Sequence, residues 1–67
     1  MKVKVNDKDK IVPVNCTVAM LAEITGINKE DSVAIAIGTD VIAREDWETI
    51  ILKDFDKVTI IRATFGG

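Results

Sequence analysis

The sequence contains no histidine, no tyrosine and a single cysteine, Cys16. Ser-His-Asp triads and Cys-His pairs need an imidazole, and the usual zinc sites combine several cysteines and histidines. None of these sites can be assembled within these 67 residues. We therefore expect a protein that is not an enzyme by itself and that binds no metal or cofactor. Cys16 is expected to be a small buried apolar side chain rather than an acceptor of sulfane sulfur.

Long apolar runs and an excess of positive charge are also missing. Uninterrupted apolar segments, such as residues 33–37, do not exceed five residues, whereas a membrane-spanning helix needs about 20. Nine basic and 11 acidic side chains give a net charge of −2, without the basic patch of a nucleic-acid binder. Lys2 and Lys4 stand where a secretory signal would be apolar. These features predict a cytoplasmic protein with no membrane or nucleic-acid partner.

What the chain does contain is a large share of β-branched residues. Val, Ile and Thr make up 24 of the 67 residues, and these side chains favour strands. The length allows one hydrophobic core and therefore one domain. We expect residues 1–63 to form that domain and residues 64–67 to form a flexible C-terminal tail.

Strands are predicted where apolar and polar residues alternate or where short apolar runs occur, at residues 1–5, 10–14, 33–37, 41–43 and 57–63. Polar segments predict turns and loops at residues 6–9, 28–32, 38–40 and 53–56. Pro13 has no N–H to donate, which assigns the second strand to a sheet edge. The last strand is apolar on both faces, which is typical of a central strand.

One helix is predicted after Thr17, which is a good N-cap residue. Gly26 stands where a left-handed residue ends a helix, and Ile27 can make the apolar contact that follows such an end. The residues expected on the buried face are Val18, Leu21, Ala22, Ile24 and Thr25. With the last strand beside the first, the order of elements predicts an α+β domain of the β-grasp type. Its mixed four- to five-stranded sheet has the helix packed across one face.

The sequence ends in Gly66-Gly67 directly after its most strand-like segment. Such a pair occurs by chance roughly once in 200 sequences, and a frayed end or a cloning scar explains it most simply. A tail without Cβ atoms can also thread into a narrow channel and present its α-carboxylate to a partner's reagent. The second explanation makes the terminus itself the reactive group.

Residues 33–47, VAIAIGTDVIAREDW, resemble a segment of the ThiS family of thiamin-biosynthesis sulfur carriers. Residues 54–58, DFDKV, resemble the Asp-Gly-Asp turn and last strand of that family, and Gly66-Gly67 falls at its terminal Gly-Gly. Three positions depart from the pattern. Ala43 stands where the family often has Pro, Phe55 where it has Gly, and Phe65 where it has a small residue.

The resemblance implies that an E1-like enzyme uses ATP to adenylate the carboxylate of Gly67, which Gly66 precedes. A sulfur donor such as a cysteine desulfurase then supplies sulfur, and the thiocarboxylate passes it to thiazole synthase. The activating enzyme is expected to bind the sheet face opposite the helix, which leaves an apolar patch open beside the tail. The partner-binding residues implied are Thr59, Ile61, Ala63 and Phe65.

Two other functions stay open. A molybdopterin-type sulfur carrier shares the β-grasp fold and the terminal Gly-Gly, although the Arg-Glu-Asp-Trp segment favours the thiamin branch. A β-grasp interaction module with an incidental Gly-Gly end belongs to a different functional class, and a reading frame that continues past Gly67 would favour it.

Four further side chains have the chemistry of a site, but we expect a structural role for each of them. Trp47 is expected to pack at the rim of the core rather than to bind a partner. Arg44 is expected to pair with Glu48 at one-turn spacing rather than with a partner's acidic patch. Asp54 and Asp56 are expected to be ordinary turn residues rather than a catalytic pair of carboxylates.

Overall fold

A computed structural model describes residues 1–27 and 32–62 of the protein. Its elements are β1 (Lys2–Val5), β2 (Lys8–Ile11), α1 (Val18–Ile24), β3 (Val33–Ile37), β4 (Asp40–Ile42), the short 3₁₀ helix η1 (Arg44–Asp46) and β5 (Lys57–Arg62). Most of the predicted loop at 28–32, the last residue of the predicted strand at 57–63 and the predicted tail at 64–67 lie outside the described residues.

The five strands form one mixed sheet in the order β2-β1-β5-β3-β4. β1 and β5 are parallel, with Lys4 opposite Lys57 and Val5 opposite Val58. The pairs β1–β2, β3–β4 and β3–β5 are antiparallel. The last strand therefore lies at the centre beside the first, which confirms the predicted β-grasp with five strands.

The helix ends are set by local sequence, as predicted. The Oγ1 atom of Thr17 accepts a 3.1 Å hydrogen bond from the backbone N–H of Met20 and caps the first turn. Gly26 has a φ of 81°. The N–H groups of Gly26 and Ile27 donate to the carbonyls of Glu23 and Ala22, at 3.0 and 2.9 Å, which is the Schellman pattern. Ile27 is buried after this turn, so the predicted apolar contact is confirmed.

The prediction for Ile24 was wrong. Val18, Leu21 and Ala22 are buried against the sheet, whereas Ile24 is 45% exposed. At about 100° per residue, position 24 lies about 120° around the helix from Val18 and falls outside the buried stripe. Thr25 is half-buried, and its hydroxyl donates to the carbonyls of Leu21 and Ala22.

The predicted boundaries of the first hairpin were also wrong. The turn contains only Asn6 and Asp7, with φ of 51° and 69°, and β2 begins at Lys8 instead of residue 10. Asn and Asp tolerate this left-handed conformation, which suits a tight two-residue hairpin. β2 is an edge strand as predicted, but it ends at Ile11, and Pro13 lies beyond it.

The second hairpin is shifted by one residue from its prediction, because β4 covers Asp40–Ile42 instead of residues 41–43 and Ala43 directly precedes η1. Gly38, with a φ of 61°, and Thr39 form a two-residue turn, and Asp40 opposite Ile37 already belongs to β4. Glycine at the first position of such a turn is typical of the II′ type. β3 has the predicted bounds, and β5 begins at the predicted residue, Lys57.

Candidate functional site

The sheet has one face covered by the helix and one face left open. Val3, Ile35 and Val58, on three neighbouring strands, are fully buried on the covered face. Because side chains alternate along a strand, Thr59 and Ile61 of β5 lie on the open face. Thr59 is half-buried, and Ile61 is 58% exposed.

Strand register surrounds Ile61 with small and apolar neighbours. Ala34 lies opposite Ile61, and Ala36 lies opposite both Thr59 on β5 and Val41 on β4. Val41 is exposed. We call Ala34, Ala36, Val41, Thr59 and Ile61 the apolar patch. Sequence reasoning found only its β5 members, although the alternating alanines of β3 were the available signal for the others.

The other half of the open face is charged. Lys4 lies opposite Asp9 on β2 and opposite Lys57 on β5. Lys2 forms an exposed ion pair with Asp9, with 3.8 Å between Nζ and Oδ2. Exposed pairs of this kind contribute about 0–1 kcal/mol to stability. Apart from the exposed Ile11 on β2, the β1–β2 half of the face therefore carries charged side chains. This limits the apolar patch to the β5–β3–β4 half.

The end of β5 is held on both sides. On one side β3 pairs as far as Val33 opposite Arg62. On the other side, the backbone N–H of Ile60 donates to Oδ1 of Asn6 at 2.8 Å, and Nδ2 of Asn6 donates to the carbonyl of Ile60 at 3.3 Å. Arg62 is the last described residue. Ala63, Phe65, Gly66 and Gly67 lie outside the described residues, and their predicted roles stay predictions.

Cys16 is fully buried. Its Sγ atom lies 3.4 Å from the carbonyl of Thr17, to which the thiol donates. Burial raises the pKa of the Cys16 thiol above its ordinary value of 9.0 because the thiolate is poorly solvated there. A buried thiol with a raised pKa is a poor nucleophile, so the expectation that Cys16 is a core residue is confirmed.

Trp47 is buried at the edge of the core, as predicted. Its indole Nε1–H donates to the carbonyl of Ile42 at 3.2 Å, and the guanidinium of Arg44 lies 4.4 Å from the ring centroid. Arg44 also donates to the carbonyl of Val33 at 3.4 Å. These contacts hold η1 against β3 and β4. The pairing of Arg44 with Glu48 stays a prediction.

A groove of ≈ 620 Å³ separates α1 from η1 on the helix side of the molecule. Glu23, Glu45 and Glu48 line it together with Trp47 and Arg44.

Among residues 1–27 and 32–62, no three His, Cys, Asp or Glu side chains are grouped so that they could hold a metal ion. In the same part of the chain, no helix has the length and apolar character needed to cross a membrane.

Asp54 and Asp56 stabilise the turn before β5, as predicted. Oδ1 of Asp54 accepts from the backbone N–H of Lys2 at 3.0 Å, and Oδ2 of Asp56 accepts from the N–H of Lys53 at 2.8 Å. Between them, Phe55 has a φ of 67° and a largely exposed ring. The Asp54 carboxylate therefore joins the turn to β1, and the Asp56 carboxylate closes the turn itself. The turn carries a bulky residue in a conformation that glycine prefers.

The sequence profile of the ThiS family matches residues 2–67. The chain is also similar to the thiamine biosynthesis protein ThiS of Geobacter metallireducens. Its crystal structure has a TM-score of 0.81 and 25% sequence identity, with 100% of both chains covered. The solution NMR structure of a thiamine biosynthesis protein from that organism has a TM-score of 0.79 and 25% identity, covering 100% of this chain and 88% of that one. No curated protein sequence matches the chain.

Proposed function

Because the chain belongs to the ThiS family, we propose that it is a sulfur carrier in thiamin biosynthesis whose reactive group is the carboxylate of Gly67. The observation that carries this proposal is the family match over residues 2–67, which includes the terminal Gly66-Gly67 pair. The similarity in fold to thiamine biosynthesis proteins over the whole chain supports it.

The proposed chemistry needs no base or metal from the carrier. A partner enzyme of the E1-like class joins the Gly67 carboxylate to the AMP part of ATP and releases pyrophosphate. A sulfur donor such as a cysteine desulfurase presents a persulfide whose outer sulfur attacks the acyl-adenylate and displaces AMP. A thiol then reduces the resulting acyl disulfide, which releases the thiocarboxylate and leaves the donor in a disulfide with that thiol. A carboxylate is a poor acyl donor, and adenylation gives it a leaving group. Thiazole synthase is the proposed acceptor of the sulfur.

The apolar patch is the proposed docking surface for the activating enzyme. Its residues Thr59 and Ile61 precede the tail on the same strand, so a protein bound there lies close to the root of the tail. Ala63 and Phe65 are proposed to continue this contact along the tail. The charged half of the open face around Lys4 and Asp9 would then form the polar rim of the interface.

The test is the intact mass of the protein after incubation with ATP, an E1-like activating enzyme of thiamin synthesis, a sulfur donor and a thiol reductant. We expect a gain equal to the replacement of one oxygen by sulfur. A variant that lacks Gly67 serves as the matched control and should show no gain while keeping its melting temperature. Absence of the gain in the intact protein, or its presence in the truncated one, would contradict the proposal.

A parallel incubation with an activating enzyme of molybdopterin synthesis tests the alternative pathway. Faster formation of the thiocarboxylate with that enzyme would assign the protein to molybdopterin synthesis instead. Failure with both enzymes would leave the terminal Gly-Gly pair incidental and favour an interaction module.

A further inference from the structure

The parallel pairing of β1 with β5 ends before β5 does. The last pair is Val5 with Val58, and the backbone N–H of Asn6 donates to the carbonyl of Val58 at 2.9 Å. At Asn6 the chain turns away into the first hairpin. The next residue of β5 whose backbone polar groups face this side is Ile60. No residue of β1 remains to pair with it.

The side chain of Asn6 takes the place of the missing strand residue. Its carboxamide contains one acceptor and one donor group, as a peptide unit does. Oδ1 accepts from the N–H of Ile60 at 2.8 Å, and Nδ2 donates to the carbonyl of the same residue at 3.3 Å. Only this orientation of the amide satisfies both groups of Ile60. The contact joins positions 54 residues apart.

We propose that Asn6 is a positioning residue for the reaction at the C-terminus, because it fixes the direction in which β5 leads into the tail. This inference rests on the proposed function. Asn6 and β3 together hold Ile60 from both sides, seven positions before Gly67. Ile60 lies between Thr59 and Ile61, the two β5 residues of the apolar patch, so the contact with Asn6 also fixes the part of the strand that forms the proposed docking surface. Loss of the contact should therefore weaken docking, which raises KM, rather than slow the chemical step.

The hairpin does not need this side chain. Its turn depends on the backbone conformation of Asn6 and Asp7, and its register is set by four residue pairs between β1 and β2. Glycine adopts a φ of 51° without steric cost. Asn6→Gly should therefore remove the contact with Ile60 and leave the hairpin intact.

Asp7→Gly is the matched control. It introduces glycine at the neighbouring position of the same turn, where φ is also positive. It removes an exposed carboxylate that lies 3.9 Å from Nζ of Lys57, an ion pair of little energetic weight. Within the described residues, Ile60 makes its side-chain hydrogen bonds to Asn6 and not to Asp7. The two variants thus share the change in chain flexibility and differ in the contact with Ile60.

The experiment measures hydrogen exchange of the Ile60 amide and steady-state kinetics of ATP–pyrophosphate exchange by the activating enzyme. In Asn6→Gly we expect about tenfold faster exchange at Ile60 and a KM for the carrier raised about fivefold, with kcat within about twofold of the original. Asp7→Gly should leave both quantities unchanged. Asn6→Asp, which accepts from the N–H of Ile60 but cannot donate to its carbonyl, should fall between the two.

Three results would overturn the inference. Unchanged exchange at Ile60 in Asn6→Gly would show that the contact does not hold the strand. Faster exchange with an unchanged KM would show that it holds the strand without positioning the tail. An equal rise of KM in Asp7→Gly would assign the effect to the flexibility of the turn. An original protein that the enzyme does not activate at all would instead refute the proposed function, and the inference with it.

Discussion

The backbone N–H of Phe55 donates a 2.7 Å hydrogen bond to the carbonyl of Lys2, and Phe55 adopts a φ of 67° in the turn that makes this bond. A left-handed conformation costs a residue with a Cβ atom roughly 1–2 kcal/mol. Phe55 is 74% exposed, so burial of its ring offsets little of that cost. The junction between β1 and β5 is therefore built around a strained residue.

Phe55→Gly should stabilise the protein. Relief of the strain outweighs the added flexibility of the unfolded chain, which costs about 0.4–1 kcal/mol, so we expect a net gain of about 0.5–1 kcal/mol. In a domain of this size the melting temperature should rise by about 2–8 °C. Val14→Gly, at another exposed apolar residue whose φ is not positive, is the control and should lower it. A lower melting temperature for Phe55→Gly would contradict the account of strain.

Ile61→Asp should impair activation of the C-terminus without unfolding the domain. The substitution places a charge in the apolar patch, opposite Ala34, where a docked partner would have to desolvate it, so KM should rise at least about tenfold. The side chain is exposed in the free protein, so stability should change by no more than about 0.5 kcal/mol.

Ile11→Asp is the matched control for Ile61→Asp. Ile11 is also exposed, but it lies on the edge strand β2, opposite Lys2 and away from the patch. Its KM should stay close to that of the original protein. Equal impairment by both substitutions would mean that docking depends on the general charge of the open face rather than on the patch.

The stability of the fold should fall at alkaline pH through Cys16. Because burial raises the pKa of this thiol, the folded state keeps its proton at pH values where the unfolded state has lost it. The corresponding stabilisation is complete below the unfolded-state pKa and is lost as pH rises through and above it. Urea unfolding from about pH 8 to about pH 10 should show this decline. In Cys16→Ala the decline should be smaller, and an unchanged slope would exclude the thiol as its source.

The features that the sequence could predict depend on local chemistry. Thr17, Gly26 and Ile27 act within one turn of the helix ends, and the apolar content of β5 reflects its two neighbours in the sheet. The predicted bounds of the first hairpin were wrong because the turn contains only Asn6 and Asp7. The run of four polar residues at 6–9 had suggested a longer turn. Ile24 was misassigned because an apolar residue need not lie on the buried stripe.

The features that the sequence could not predict depend on register between distant strands. Ala34, Ala36 and Val41 join Ile61 in one patch only once β3 is aligned with both β4 and β5. The contact between Asn6 and Ile60 forms because the pairing of β1 with β5 ends at Val58, two residues before Ile60. The contact between Asn6 and Ile60 has no signal in the local pattern of residues, and the alternating alanines of β3 indicate the patch only once the register is known.

The parallel neighbours β1 and β5 also determine the order in which the domain can assemble. Each of the two hairpins, β1–β2 and β3–β4, closes over a two-residue turn, whereas the contact between Asn6 and Ile60 closes a loop of 54 residues. Closing such a loop costs about 3.5 kcal/mol of chain entropy beyond a constant. We therefore expect both hairpins to form early and β5 to join them in the slow step of folding. The strand that precedes the proposed reactive terminus would thus be the one that completes the domain.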